Sequence, residues 1–128
     1  MADILMVEDN LEFYDMVAGF LRHQGHRLAL AVDPAHLYAV LQDFRPDLVI
    51  LDLHIPGGGA FLAQKVLDAS HNAATPVLVC SGMPVPYQKA WFPETPLRRY
   101  VAKPVELDGL ESLVDELLAG GSPAVGHA

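Results

Sequence analysis

The sequence predicts an α/β fold: a parallel sheet covered by helices on both faces. Three observations predict it. Five short apolar runs are spaced along the chain, helix-period segments separate them, and four of the runs end at polar or charged residues.

The first run, Ile4-Leu5-Met6-Val7, stops at two carboxylates, Glu8 and Asp9. Leu11, Tyr14, Val17, Ala18 and Leu21 then recur at helical spacing, and Gly25 closes that helix. Arg27 to Val32 reads as a second strand. Asp33 is placed to cap the next helix, with Pro34 in its first turn. That helix carries Leu37, Val40 and Leu41 and ends before Pro46.

Leu48-Val49-Ile50-Leu51 reads as a strand buried on both faces, ending at Asp52. Pro56-Gly57-Gly58-Gly59 reads as a loop, and Phe61, Leu62, Val66 and Leu67 mark a third helix. Pro76 to Cys80 is the fourth strand, ending at Ser81. Tyr100-Val101-Ala102 is a short fifth strand, ending at Lys103. Leu107, Leu110, Leu113, Val114 and Leu117 form the last helix, closed by Gly120-Gly121.

One stretch breaks the alternation. Pro84, Pro86, Pro93 and Pro96 forbid a full fourth helix between Met83 and Pro96. At most, Pro86 starts two turns that Pro93 stops. The organisation expected is one domain over residues 1–121, with a disordered tail at 122–128.

The 128 residues suit a single domain with an apolar core of its own. The lone Cys80 forbids an internal disulfide and reads as a small core residue. The formal charge of −8 argues against nucleic acid and against an anionic membrane surface as partners. No apolar run is long enough to span a bilayer, and Met1-Ala2-Asp3-Ile4 has no basic segment ahead of an apolar stretch. A cytoplasmic location is the expectation.

Sites in open α/β sheets lie outside the carboxyl ends of the strands. Those ends carry Glu8, Asp9, Asp52, Ser81 and Lys103. If the first and third strands are neighbours, three carboxylates converge. Two unit charges about 5 Å apart repel by roughly 3 kcal/mol at an effective dielectric near 20. Such a cluster calls for a cation or a raised pKa, and Mg²⁺, which takes hard oxygen ligands, suits it. An Asp so placed can attack phosphorus, with Lys103 neutralising charge on the transferred group and Ser81 donating to it. Gly57 to Gly59 lack the Lys-Ser/Thr continuation of a phosphate-binding P-loop.

Four pieces in order, Val7-Glu8-Asp9-Asn10, Val49 to Gly57, Cys80-Ser81-Gly82 and Tyr100-Val101-Ala102-Lys103-Pro104, resemble the receiver domain of two-component response regulators. The resemblance runs from about residue 3 to 119. It implies a flavodoxin-like, doubly wound five-stranded sheet in the order 2-1-3-4-5. It implies that Asp52 accepts a phosphoryl group from a sensor histidine kinase or a phosphotransfer protein. Glu8, Asp9, Asp52 and the backbone carbonyl of His54 would hold Mg²⁺. Ser81 and Lys103 would contact the phosphoryl group, the Lys103-Pro104 bond would be cis, and Ser81 and Tyr100 would form the switch.

Other readings stand beside these. Tyr100 is equally a core aromatic. The role implied for His54 uses its carbonyl and leaves the imidazole free to influence water access; the remaining histidines show no ligand spacing and read as surface residues. The prolines and the Pro96-Leu97-Arg98-Arg99 segment depart from the family pattern where its signalling face usually lies. This places the expected output surface around Tyr87 to Arg99, with Trp91 and Phe92 either anchoring a downstream protein or folding onto the core. The main alternative function is a pseudo-receiver, an interaction module without phosphotransfer. A haloacid-dehalogenase-type phosphatase is a third, opposed by His54 where the second Asp of its Asp-x-Asp pair should stand and by a chain too short for a cap domain.

Overall fold

Five parallel strands form one sheet in the computed structural model, which describes residues 1–55, 59–69 and 74–120. The strands are β1 (Asp3–Val7), β2 (Arg27–Ala31), β3 (Leu48–Asp52), β4 (Val77–Ser81) and β5 (Arg98–Ala102), in the order β2-β1-β3-β4-β5. This is the expected topology. Five helices connect them: α1 (Leu11–His23), α2 (Pro34–Val40), α3 (Gly59–Ala69), α4 (Val85–Trp91) and α5 (Leu107–Leu118). The expected loop at Pro56–Gly58, the expected tail at 122–128, Gly121, His71 and His127 lie outside the described residues.

The strands read as unbroken apolar runs because each side of the sheet faces helices. Alternate residues point to opposite faces. Ile4, Met6, Leu48, Ile50, Leu78 and Cys80 pack with Val17, Leu21, Val114 and Leu117 of α1 and α5. Leu5, Val7, Val49, Leu51, Val77 and Val79 pack with Leu37, Ala63, Leu67 and Phe92 on the other face. Every residue of β3 and β4 is buried, as expected for interior strands.

Local chemistry sets the element ends. The Asn10 side chain caps α1, accepting from the Phe13 amide at 3.0 Å. Asp33 caps α2, accepting from the His36 amide at 2.7 Å, with Pro34 opening the helix. Gly25 leaves α1 at φ 99°, a left-handed value that a side chain would oppose.

Two expectations need correction, the place of Gly59 and the start of β5, and in two of the expected helices the buried face differs from the full apolar set. Leu11 opens α1 with its side chain outward, since its first-turn position precedes the buried stripe of Tyr14, Val17, Ala18 and Leu21. Phe61 and Leu62 do not form the core face of α3. Ala60, Ala63 and Leu67 do, and they pack with the strand residues of that face. Gly59 starts this helix instead of ending a loop. β5 begins at Arg98, two residues earlier than the apolar run suggests, because Val77 and Leu78 extend the ladder to Arg98 and Arg99.

α4 is the short helix the prolines predict, seven residues long. Its one buried residue is polar: Gln88 is fully enclosed. Its Nε2 donates to the carbonyls of Met83 (2.8 Å) and Val101 (3.0 Å), tying the helix to the loop after β4 and to β5. Its Oε1 has no protein partner. Gln88→Ala removes both N–H donors from the carbonyls of Met83 and Val101. We expect a loss of about 1–3 kcal/mol in urea unfolding, against a near-neutral Gln42→Ala in the exposed turn after α2 as control.

Candidate functional site

β1, β3, β4 and β5 all end at one edge of the sheet, and the strand order makes β1 and β3 neighbours, with Val7 opposite Leu51. The residues just past those ends therefore meet. One carboxylate oxygen from each of Glu8, Asp9 and Asp52 lies within 4.8 Å of the others. Asp9 is exposed, whereas Glu8 and Asp52 are buried.

Lys103 reaches this cluster from β5. Its Nζ lies 2.9 Å from Glu8 Oε1 and 3.3 Å from Asp52 Oδ2. The ammonium also sits 4.2 Å from the centroid of the Phe13 ring, a cation–π contact that shields it on one side. The other Asp52 oxygen, Oδ1, accepts from the His54 amide at 3.0 Å, and Glu8 Oε2 accepts from the Asn10 amide at 3.1 Å. Both buried carboxylates are thus held by a backbone N–H on one oxygen and by Lys103 on the other. The Lys103-Pro104 bond is cis, as the resemblance implies.

The charges shift one another. Burial pushes the Glu8 carboxyl up to about 7, and the neighbouring Asp52 adds to this, while Lys103 opposes it. Burial works against the Lys103 charge, but Glu8 and Asp52 outweigh it and hold the ammonium above its usual value. Burial likewise pushes the Cys80 thiol up to about 12, so it stays protonated and offers no soft ligand.

The donor set fits a hard divalent cation such as Mg²⁺. It consists of carboxylate oxygens, their mutual repulsion is only partly offset by one ammonium, and Asp9 leaves the cluster open to solvent. A consequence follows for pH. Folded Glu8 keeps its proton up to about 7, whereas the unfolded carboxyl loses it near 4.5. The folded state therefore binds more protons between those values, and stability falls as pH rises across that window. In chelator-containing buffer we expect Glu8 to contribute a loss of up to about 3 kcal/mol between pH 4.5 and 7. Urea titrations across that range check it. Millimolar Mg²⁺ should recover much of the loss at pH 7, and Glu8→Gln should flatten the dependence.

Ser81 is fully buried at the end of β4. Its Oγ accepts from the Met83 amide at 3.1 Å and lies 3.3 Å from His54 Nδ1. The imidazole, expected to be free, therefore rests against Ser81. Tyr100 is half-buried, and its hydroxyl donates to the Phe92 carbonyl at 2.5 Å. Cys80 is a core residue as expected. The expected aromatic pair is split: Phe92 is buried, whereas Trp91 is half exposed. Sequence reasoning missed Phe13 beneath Lys103, the Gln88 tie and the His54–Ser81 contact. Only Phe13 had a visible cue, one helical turn after the cap residue Asn10 on the side facing the site.

No helix among the described residues is long and apolar enough to cross a membrane. The sequence matches the response regulator receiver domain family over residues 4–115. It is 30% identical to Protein PilH of Pseudomonas aeruginosa over 122 residues, covering 94% of this chain and all of that protein. The fold is similar to that of the chemotaxis protein CheY4 of Vibrio cholerae (TM-score 0.81, 24% identity, covering 91% of this chain and 98% of that one). It is also similar to the receiver domain of the sensor histidine kinase PA1611 of Pseudomonas aeruginosa, a structure with a magnesium ion coordinated in its active site cleft (TM-score 0.80, 20% identity, covering 93% and 98%).

Proposed function

The chain belongs to the response regulator receiver domain family of two-component systems, and on that premise we propose that Asp52 is its phosphoacceptor. The observation that carries this reading is the placement of the buried Asp52 carboxylate between the Lys103 ammonium at 3.3 Å and the Glu8–Asp9 pair.

A sensor histidine kinase or phosphotransfer protein would present a phosphohistidine at the carboxyl edge of the sheet. Asp52 attacks phosphorus through one carboxylate oxygen. A P–O bond forms, the P–N bond breaks, and the departing imidazole keeps the electron pair and takes a proton. The His54 amide fixes the plane of the Asp52 carboxylate. Lys103, already 3.3 Å from Asp52, meets the negative charge arriving with the phosphoryl oxygens. Glu8, Asp9, Asp52 and the His54 carbonyl would hold Mg²⁺, which supplies further charge neutralisation to the transferred group. The magnesium described for the PA1611 receiver supports that assignment.

Ser81 Oγ would donate to a phosphoryl oxygen after leaving His54, and Tyr100 would respond from the adjoining β5. Phosphorylation then biases a two-state equilibrium read by a downstream protein. The domain is assigned to residues 1–121, with a cytoplasmic location and with neither nucleic acid nor membrane as a direct partner.

A second reading, a pseudo-receiver that binds partners without phosphotransfer, is favoured by one observation: α4 is cut to seven residues. Intact mass separates the two. With Mg²⁺ and acetyl phosphate the chain should gain one phosphoryl group, and chelation should prevent the gain. No gain at any Mg²⁺ level, together with no Mg²⁺ binding by calorimetry, selects the pseudo-receiver.

A further inference from the structure

Phe61 of α3 stacks on Phe92 (centroids 5.0 Å apart, planes at 17°) and on Trp91 at the end of α4 (5.6 Å, 21°). Phe92 is the enclosed end of this run of rings, whereas Phe61 and Trp91 are 52% and 50% exposed. Leu62, 42% exposed, adjoins Phe61 in sequence, and Tyr87, 60% exposed, precedes Trp91 by one turn of α4. Single exposed apolar residues are ordinary; several together on facing elements mark a contact surface. None of them belongs to the carboxylate site.

The border of this surface is cationic. The Arg98 guanidinium lies 5.4 Å from the Phe92 ring centroid and donates to the Pro93 carbonyl and to Gln64 Oε1, both neutral acceptors. Lys65 follows Phe61 by one turn on the same side of α3. Lys89 is neutralised by Glu94 at 3.0 Å, and Asp68 accepts from Gln64, but among the described residues neither Lys65 nor Arg98 pairs with a carboxylate. The chain carries twice as many acidic as basic residues, so unpaired cations beside exposed rings run against its overall charge. That overall charge also disfavours a second copy as the occupant, since two chains of −8 repel.

We propose that Phe61, Leu62, Tyr87 and Trp91, bordered by Lys65 and Arg98, dock an acidic segment of a partner protein. The segment sets an aromatic or long aliphatic side chain on the rings and turns carboxylates toward the two cations. This surface lies between α3 and α4. It uses no residue of the phosphoacceptor site and stands whether or not Asp52 is phosphorylated.

The test uses the full chain and a displayed library of random peptides of roughly twelve residues, about three helical turns. Peptides are selected on the wild type, with counter-selection against Trp91→Ala. Enriched peptides should combine an aromatic or leucine with net negative charge. Synthesised singly, they should perturb the emission of Trp91, the one tryptophan of the chain. Calorimetry should show binding weakened roughly tenfold or more by Trp91→Ala. Lys65→Glu should weaken it by about fivefold or more, with a smaller salt dependence. Both substitutions are on exposed side chains, and an unchanged circular dichroism spectrum and urea unfolding midpoint confirm that the variants fold. No enrichment, enrichment of neutral or basic peptides, or equal binding by both variants overturns the proposal. So does concentration-dependent dimerisation abolished by Trp91→Ala, which reassigns the surface to a second copy.

Discussion

Asp52→Asn is expected to take up no phosphoryl group from acetyl phosphate and Mg²⁺ under conditions in which the wild type gains one. The amide keeps the shape of the carboxylate and can still accept from the His54 amide, which lies 3.0 Å from Oδ1, so the loop after β3 should hold its course. It removes the proposed anionic nucleophile, and uptake should fall by roughly a hundredfold or more. The substitution also removes one of the two charges that face Lys103 and relieves Glu8 of a like charge. The Glu8 carboxyl should therefore move down toward its ordinary range. The variant should be at least as stable as the wild type at pH 7 without metal, and it should bind Mg²⁺ more weakly. Uptake at the wild-type level in a folded Asp52→Asn chain would show that the acceptor lies elsewhere and would withdraw the assignment of Asp52.

Much of this site was legible because the chemistry sits where apolar runs stop. Val7 is followed by Glu8 and Asp9, Leu51 by Asp52, Cys80 by Ser81 and Ala102 by Lys103, and parallel strands must end at one edge. The proline spacing likewise set the length of α4. What escaped were facts of the third dimension. The apolar residues of α3 are distributed so that Phe61 and Leu62 seem as fit for the core as Leu67, and only the rotation of the helix in the assembled fold turns Ala60 and Ala63 inward instead. Gln88 in α4 reads as a solvent-facing residue until the carbonyls of Met83 and Val101 are placed beside it. The Arg98-Arg99 start of β5 carries no apolar signal, since an edge strand shares one flank with solvent and its charged residues can turn outward.

The Lys103→Met variant tests the electrostatics of the centre most severely. Methionine keeps most of the length and the packing on Phe13 but removes the one ammonium that, among the described residues, lies close to both buried carboxylates. Removing one partner of a buried ionic group costs about 3–5 kcal/mol when the remaining charge has no escape. Here it has one, because Glu8 already holds its proton up to about 7 and would hold it higher still once Lys103 no longer opposes burial. The loss should therefore depend on pH in a definite direction. At pH 8, without metal, Glu8 and Asp52 are forced either to remain ionised together or to bind a proton against its bulk activity, and the variant should lose about 2–4 kcal/mol relative to the wild type. At pH 5 a single proton on Glu8 relieves the repulsion, and the loss should shrink to about 1 kcal/mol. Mg²⁺ should stabilise the variant more than it stabilises the wild type. A bound divalent cation would no longer share the site with a like charge on Lys103, so about tenfold tighter Mg²⁺ binding is the expectation. Tighter metal binding should nevertheless accompany slower phosphoryl uptake, because the charge that meets the incoming phosphoryl oxygens is gone. Urea unfolding at the two pH values, with and without Mg²⁺, separates these effects. A loss that is the same at pH 5 and pH 8 would assign Lys103 to its cation–π contact with Phe13 and not to charge balance with the carboxylates.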